Sequence, residues 1–367
     1  MEKAYKFRIY PNNEQIKQIQ QTFGCCRFLY NHFLAERIKR YTEAGENLNY
    51  YACSAMLTSM KQEFIWLKDA DSTALQSAVK DLDTAYANFF RRVKHGEKPG
   101  FPQFKSKKNR RKSYKSKGNI QVLNKHIKLP KLGNVKAKTS KQVQGRILNA
   151  TVSQSPSGKY YVSICCTDVE IPKYKSTGAV IGLDMGIKKL LSTSEGVIYP
   201  NHKYIRKSER RLAKAQRQLS RKQIGSSNRD KARVKVARVQ EHIANQRADA
   251  LHKLTTQLVK DYDIICIEDL AIKNMIRNHK LAKSIADVSW GELVRLLQYK
   301  CDWQCKKLVK VDRFFASSQL CNACGHKNAE LKNLQIRHWI CQSCGTEYDR
   351  DINAAKNILS EGLRLIA

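Results

Sequence analysis

Four cysteines near the end of this 367-residue chain, Cys321, Cys324, Cys341 and Cys344, form two Cx2C pairs separated by sixteen residues. That is the spacing of a four-thiolate zinc ribbon. Gly325 and Gly345 directly follow the pairs, where a tight knuckle turn favours a residue that tolerates positive φ. The other eight cysteines, Cys25, Cys26, Cys53, Cys165, Cys166, Cys266, Cys301 and Cys305, lie in apolar or helical patterns and read as small buried hydrophobes. Cys301 and Cys305 stand at helical i, i+4 spacing, which suits a metal as well, but they too read as packing residues.

Three carboxylates form the second candidate set. Asp184 lies in Ile181-Gly-Leu-Asp-Met-Gly-Ile, at the end of a short apolar run, with Gly186 placed for close backbone approach. Glu268 closes the run Ile264-Ile-Cys-Ile-Glu, and Asp351 opens a helical pattern, Asp351-Ile-Asn-Ala-Ala-Lys-Asn-Ile. Taken singly, Asp351 is explained by capping and the helix dipole, and Asp184 by a turn. An Asp on a first strand, a Glu at the end of a later parallel strand and an Asp on a terminal helix together describe a ribonuclease H-like nuclease plan. Three converging carboxylates repel one another unless cations neutralise them. Two magnesium ions about 4 Å apart would then serve an in-line phosphodiester displacement. Glu268 and Asp269 are adjacent, so their side chains point to opposite faces and only one joins the cluster; Glu268, which continues the strand, is the choice.

The elements that must hold these residues are embedded in a strongly basic chain, with 68 Lys plus Arg against 32 Asp plus Glu and a net charge of +36. A surplus of this size seeks polyanions, above all nucleic acid. A hydrophobic share of 42% excludes a wholly disordered basic tail, and no apolar stretch approaches the roughly 20 residues that cross a bilayer. The opening MEKAYKFRIYP puts charges where a signal peptide needs an apolar core, so a cytoplasmic protein is expected. Lys3 to Tyr10 reads as a strand ended by Pro11, and apolar residues then recur at helical spacing from Asn13 to about Arg92. From Lys98 to Thr167 there are seventeen Lys or Arg and no acid, with β-type runs at 120–123, 127–129, 147–152 and 160–165. The opening strand is expected to pair with this later sheet, making the helices an insertion. In the second half, 180–184, 190–192 and 197–199 suggest a three-stranded meander. A basic helix pair follows, with fourteen Lys or Arg between Lys203 and Arg238 against Glu209 and Asp230, interrupted near Gly225. Tyr262 to Ile267 reads as a buried strand, Trp290 to Val309 as an amphipathic helix and Asp351 to Leu363 as the last helix.

The sequence resembles the TnpB (OrfB) family of bacterial and archaeal insertion sequences, related to type V CRISPR effectors. The matching segments are Tyr5-Lys-Phe-Arg-Ile-Tyr-Pro, Gly100-Phe-Pro-Gln-Phe-Lys, Gly182-Leu-Asp-Met-Gly-Ile-Lys, Ile267-Glu-Asp-Leu, Phe315-Ala-Ser-Ser-Gln-Leu-Cys-Asn-Ala-Cys-Gly and Tyr348-Asp-Arg-Asp-Ile-Asn-Ala-Ala-Lys-Asn-Ile. Ala316 and Gln319 stand where Pro and Lys are frequent. The resemblance implies an α/β multidomain protein: a wedge β-barrel (1–12 and 98–176) with a helical recognition insertion (13–97), and a RuvC-like, ribonuclease H-like nuclease domain (177–367) with an inserted zinc ribbon (314–347). It implies catalysis by Asp184, Glu268 and Asp351 on two Mg2+ (or Mn2+) ions, with structural Zn2+ on Cys321, Cys324, Cys341 and Cys344. It further implies a monomeric ribonucleoprotein, nucleoid-associated and not membrane-bound. A guide RNA from the transposon end would direct it to cut double-stranded DNA beside a short adjacent motif. The basic stretches 98–167 and 203–238 are the expected nucleic-acid contacts. Tyr114 and Tyr204 would either stack on bases or pack in a core. The competing readings are a nuclease-inactive RNA-guided DNA-binding protein, a strand-transferring transposase and a basic RNA-binding protein with a zinc ribbon.

Overall fold

The computed structural model describes every residue of the chain except Arg110 and Leu334. The chain forms two compact units, Met1–Glu170 and Ile171–Ala367. The first runs β1 (Lys3–Tyr10), α1 (Asn13–Ala44), α2 (Tyr50–Glu63), α3 (Ser72–Lys94), β2 (Lys112–Ser116), β3 (Gln121–Leu123), β4 (His126–Leu129), β5 (Gly133–Lys138), β6 (Arg146–Gln154) and β7 (Tyr160–Thr167). Its strands form one sheet in the order β2-β6-β7-β1-β5-β4-β3. Every pairing in it is antiparallel. Alternation in β1 buries Tyr5, Phe7 and Ile9, and the strand pairs with both β5 and β7. The helices are therefore inserted after the first strand of a sheet that the chain completes about a hundred residues later. Helix α1 is one continuous helix of 32 residues, opened by a capping box between Asn12 and Gln15. Strands β2 and β5 were not expected, because Lys112 and Lys115 in the one and Lys136 and Lys138 in the other read as charge rather than as strand. Tyr114 of β2 is buried, its ring 5.7 Å from that of Phe23, so it packs in a core.

The second unit runs β8 (Val180–Met185), β9 (Lys189–Thr193), β10 (Ile198–Pro200), α4 (Tyr204–Ser220), α5 (Ser227–Asp261), β11 (Ile264–Glu268), α6 (Ile272–Met275), α7 (His279–Val288), α8 (Trp290–Gln304), β12 (Lys307–Val311), β13 (His338–Ile340), β14 (Glu347–Asp349) and α9 (Arg350–Arg364). The main sheet has the order β10-β9-β8-β11-β12. Strands β8 to β10 form the expected antiparallel meander, while β8, β11 and β12 run parallel. The helix expected over Trp290–Val309 ends at Gln304, capped by Cys305 at φ 56°, and the chain turns back into β12 beside β11. Cys301 is buried as expected, but Cys305, beyond the helix end, is exposed, with the Lys173 ammonium 3.2 Å from its sulfur. Cys165 is only half-buried.

Alternation divides the sheet into two faces. Ile181, Leu183, Met185, Ile265 and Ile267 pack against buried residues of α5, α7 and α8, including Leu258, Ile285 and Leu293. The opposite face, with Cys266, Val309 and Val311, packs on Ile358 of α9. Two glycines let α9 lie close: a Cβ on Gly182 would strike the Ala355 carbonyl and come within 2.8 Å of Leu359, and one on Gly362 would come within 2.7 Å of the Cys266 Cβ. The close approach expected at Gly186 is present, a Cβ there coming within 2.8 Å of the Lys189 carbonyl, and Gly182 adds a second that sequence reasoning did not single out.

Candidate carboxylate and cysteine sites

Strand register brings the first two carboxylates together. Ile267 of β11 is the parallel partner of Leu183 in β8, so one residue further along Glu268 stands beside Asp184, on strands about 4.8 Å apart and on the same face. That face is the one covered by α9, because Glu268 is also level with Val311 of β12. The third carboxylate arrives from the helix. Ala355 lies over Gly182; one helical turn back to Asp351 is about 6 Å, and two residues forward to Asp184 is about 6.6 Å. Asp351 thereby reaches the same C-terminal edge of the sheet.

The surroundings of the three acids are polar and cationic. Asp349 caps α9, its Oδ1 accepting from the Asp351 and Ile352 amides at 2.9 and 3.1 Å. Lys189 Nζ lies 3.4 Å from Asp349 and 3.3 Å from Asp351, and Arg337 donates to Asp351 Oδ1 at 3.0 Å. Ser317 donates its hydroxyl to Glu268 Oε1. Asp269 is turned away and paired with Arg313 at 2.8 Å. The buried Arg350 guanidinium donates to the Asn333 carbonyl at 3.0 Å and to Ser318 Oγ at 3.4 Å. Burial, then the negative charges of Glu268 and Asp351, push the Asp184 carboxyl from 3.8 up to about 8, against the opposing influence of Arg350 and Lys189. A buried carboxylate beside two other acids favours a hard cation, and an all-oxygen donor set fits magnesium or manganese. The oxygens are not drawn into a closed cage, however: among the described residues, only the four cysteines form a group of such ligand atoms within 4.8 Å of one another.

The cysteines come from two matching knuckles. The Gly325 amide donates to the Cys321 carbonyl at 2.8 Å and the Gly345 amide to the Cys341 carbonyl at 2.9 Å, with φ of 75° and 71° at the two glycines. Cys321 and Cys344 sulfurs are 3.6 Å apart, as are those of Cys324 and Cys341. A zinc–sulfur bond of about 2.3 Å in a tetrahedron gives sulfur separations of about 3.8 Å, so the set fits zinc. Tyr348 supports it, its hydroxyl 3.4 Å from Cys321 Sγ and accepting from the Ala323 amide at 3.0 Å.

Sequence reasoning passed over Lys189, Arg337, Arg350, Ser317 and Asp349. Only Asp349 carried a signal, since an Asp two residues ahead of another at a helix start is a capping pattern. The basic pair α4 and α5 exposes Arg206, Arg210, Arg211, Arg217 and Arg238 and half-buries Leu212, Ala215 and Leu219 along its seam. Tyr204 is half-buried at the start of α4, its ring 5.4 Å from that of His202.

The fold is shared with a solved protein. The protein of the solved structure titled "Cryo-EM structure of the Cas12f1-sgRNA-target DNA complex" aligns with a TM-score of 0.58 over 98% of both chains, at 14% identity. Residues 163–279 match the OrfB_IS605 family, described as "Probable transposase", and residues 290–358 match "Cas12f1-like, TNB domain". Residues 1–46 match "Helix-turn-helix domain", although here they form a strand and one unbroken helix. A Streptomyces pristinaespiralis protein named "Putative RNA-guided DNA endonuclease" is 40% identical over 99% of this chain and 90% of its own length. The Escherichia coli K12 protein carrying the same name with the suffix InsQ is 35% identical over 99% of this chain and 93% of its own. The chain belongs to the TnpB (OrfB) family. None of its described helices is long and apolar enough to cross a membrane.

Proposed function

We propose that the protein is an RNA-guided DNA endonuclease that cuts target DNA beside a short transposon-adjacent motif. The observation that carries the proposal is the β8–β11 register, which sets Asp184 beside Glu268 on the face that α9 covers with Asp351. In this reading residues 1–12 and 98–176 form the wedge domain, 13–97 the recognition insertion, 177–367 the RuvC-like nuclease and 314–347 its zinc ribbon. The names of the two relatives support an RNA-guided nuclease as the general activity, and the Cas12f1 complex supports guide RNA and target DNA as partners.

Asp184, Glu268 and Asp351 would hold two divalent cations, which when bound supply an activated water and stabilise the departing oxygen. The chain's own residues prepare that site. Ser317 orients Glu268 by its hydrogen bond, and Asp349 fixes the first turn of α9 so that Asp351 stays at the sheet edge. Lys189 and Arg337 neutralise Asp351 and keep positive charge where phosphate arrives. Asp184 must give up a proton to become a ligand, because burial, then the charges of Glu268 and Asp351, push its carboxyl up to about 8. The net charge of +36 supplies the sequence-independent grip on RNA and DNA, and base pairing then selects the target.

The test is purification of the protein with its co-purifying RNA, sequencing of that RNA, and incubation with matched duplex DNA carrying a randomised flank in magnesium. Cleavage confined to particular flanks is expected. No cleavage across all flanks would sink the proposal.

A further inference from the structure

A second basic feature opens at the sheet edge that carries Asp184. It is a cleft of about 300 Å3 between the β8–β9 turn, the start of α4 and α7, with Lys188, Lys203, Arg206 and Lys283 in its walls. Hydrogen bonds fix its shape. Asn201 donates to the Ile187 carbonyl at 2.8 Å and accepts from the Lys203 amide at 3.0 Å, which ties the turn to the approach to α4. Buried Asp287 of α7 accepts from the Ile205 amide at 3.1 Å, which ties α7 to α4. Asp287 is committed to that amide and lies 3.9 Å from Arg247, while Glu209 is committed to Lys283. Lys188, Lys203 and Arg206 are exposed and form no ion pair among the described residues. Their positive charge faces a cleft in which Glu209 is shared between Lys283, its hydrogen-bonded partner, and the nearby charge of Arg206.

Position relative to the carboxylates gives the cleft its meaning. Lys189 reaches Asp349 and Asp351, whereas its chain neighbour Lys188 lines the cleft. Consecutive lysines thus serve the two sides of one edge, Lys189 on the α9 side and Lys188 on the α7 side. Carboxylates repel the phosphates on either side of the bond to be cut, so a strand crossing them needs cations alongside. We infer that this cleft binds the phosphodiester backbone of single-stranded DNA where the strand continues past the sheet edge onto the α7 side, beyond the bond presented to Asp184, with Lys188 and Arg206 as positioning residues. The inference rests on the nuclease reading for its substrate. The Glu209–Lys283 pair adjusts the site: a bound phosphate competes with Glu209 for Lys283, so Glu209 weakens binding.

The experiment uses the full chain with its co-purified RNA and carries two readouts. In the first, an Asp184→Ala background is titrated with a short fluorescent single-stranded oligonucleotide across a salt series, followed by anisotropy. Each single-strand phosphate contact contributes about 0.7 to the slope of log affinity against log salt, so Lys188→Ala with Arg206→Ala should lower that slope by about 1.4. Lys188→Arg with Arg206→Lys should preserve it, and Glu209→Gln should tighten binding. In the second, with the carboxylates intact, the alanine pair should raise the DNA concentration for half-maximal cutting several-fold while the saturated rate and the magnesium requirement stay as they were. An unchanged slope together with unchanged half-saturation overturns the inference, and so does a defect that appears as an altered magnesium requirement. If the protein cuts no DNA yet the slope falls, the nuclease reading fails and the phosphate site stands; if it cuts normally and the slope is constant, the cleft assignment alone fails.

Discussion

Replacing Asp184 with Asn should make the metal-free protein more stable at pH 8, even though it removes the candidate metal ligand. The carboxyl sits near 3.8 in an unfolded chain and is pushed up to about 8 in the folded one, through burial and the charges of Glu268 and Asp351. Between those values the folded state keeps a proton that the unfolded state has released, so stability falls as pH rises, by at most about 1.4 kcal/mol per pH unit. Across the whole window this amounts to roughly 6 kcal/mol, an upper figure because the neighbours relax. Asn has nearly the same shape and no charge, so the variant should match the parent near pH 4 and exceed it increasingly up to pH 8. Magnesium should reverse the order. A cation that replaces the proton stabilises the parent by an amount that grows with its concentration over its dissociation constant, and the parent's apparent metal affinity should rise about tenfold per pH unit up to pH 8. The assay is urea unfolding of parent and variant from pH 5 to 8.5, with and without magnesium. Parallel pH profiles for the two proteins, or equal stabilisation of both by magnesium, would refute the reasoning.

Glu268→Gln should abolish cutting while leaving guide-RNA affinity within about twofold, because the charge it removes lies among cations that remain; parallel loss of RNA binding in a filter assay would assign it a structural role. Cys321→Ser with Cys324→Ser should release one zinc per chain and unfold the ribbon, since such sites draw roughly 10 kcal/mol from the metal; metal analysis of the parent that finds no zinc would remove the assignment. Gly182→Ala should cost about 1–3 kcal/mol, because its methyl group meets the Ala355 carbonyl and Leu359; a thermal melt unchanged from the parent would show that α9 moves aside freely. Replacing exposed Arg210, Arg211 and Arg217 of α4 with Ala should weaken RNA binding and flatten its salt dependence, and an unaltered slope would move the RNA path elsewhere.

Much of the second unit was legible because its acids punctuate apolar runs. Asp184 and Glu268 each follow residues that alternate into a core, and the parallel neighbours needed to align them follow from the βαβ connection. Strand β12 was lost because Leu308 and Val309 continue the helical spacing of α8; only pairing with β11, a long-range contact, separates the two. The close approach at Gly186 was legible from its place in the turn, whereas that at Gly182 was not, because which glycine a helix covers depends on the face it chooses. Lys189, Arg337 and Arg350 were invisible for a different reason: among 68 basic residues, the few that touch a carboxylate look like the rest. The knuckle glycines behaved as read, since Cx2C spacing fixes both the turn and its handedness within four residues.

The junction between the cysteine ribbon and α9 has no slack. Strand β14 ends at Asp349 and the helix begins at Arg350, whose amide donates to the carbonyl of Arg337 just ahead of β13. Arg337 in turn grips Asp351. The ribbon is therefore less an appendage than a jig that sets where Asp351 stands at the sheet edge. A shortened relative that discarded it would need some other brace at the root of its last helix to hold the third carboxylate in place.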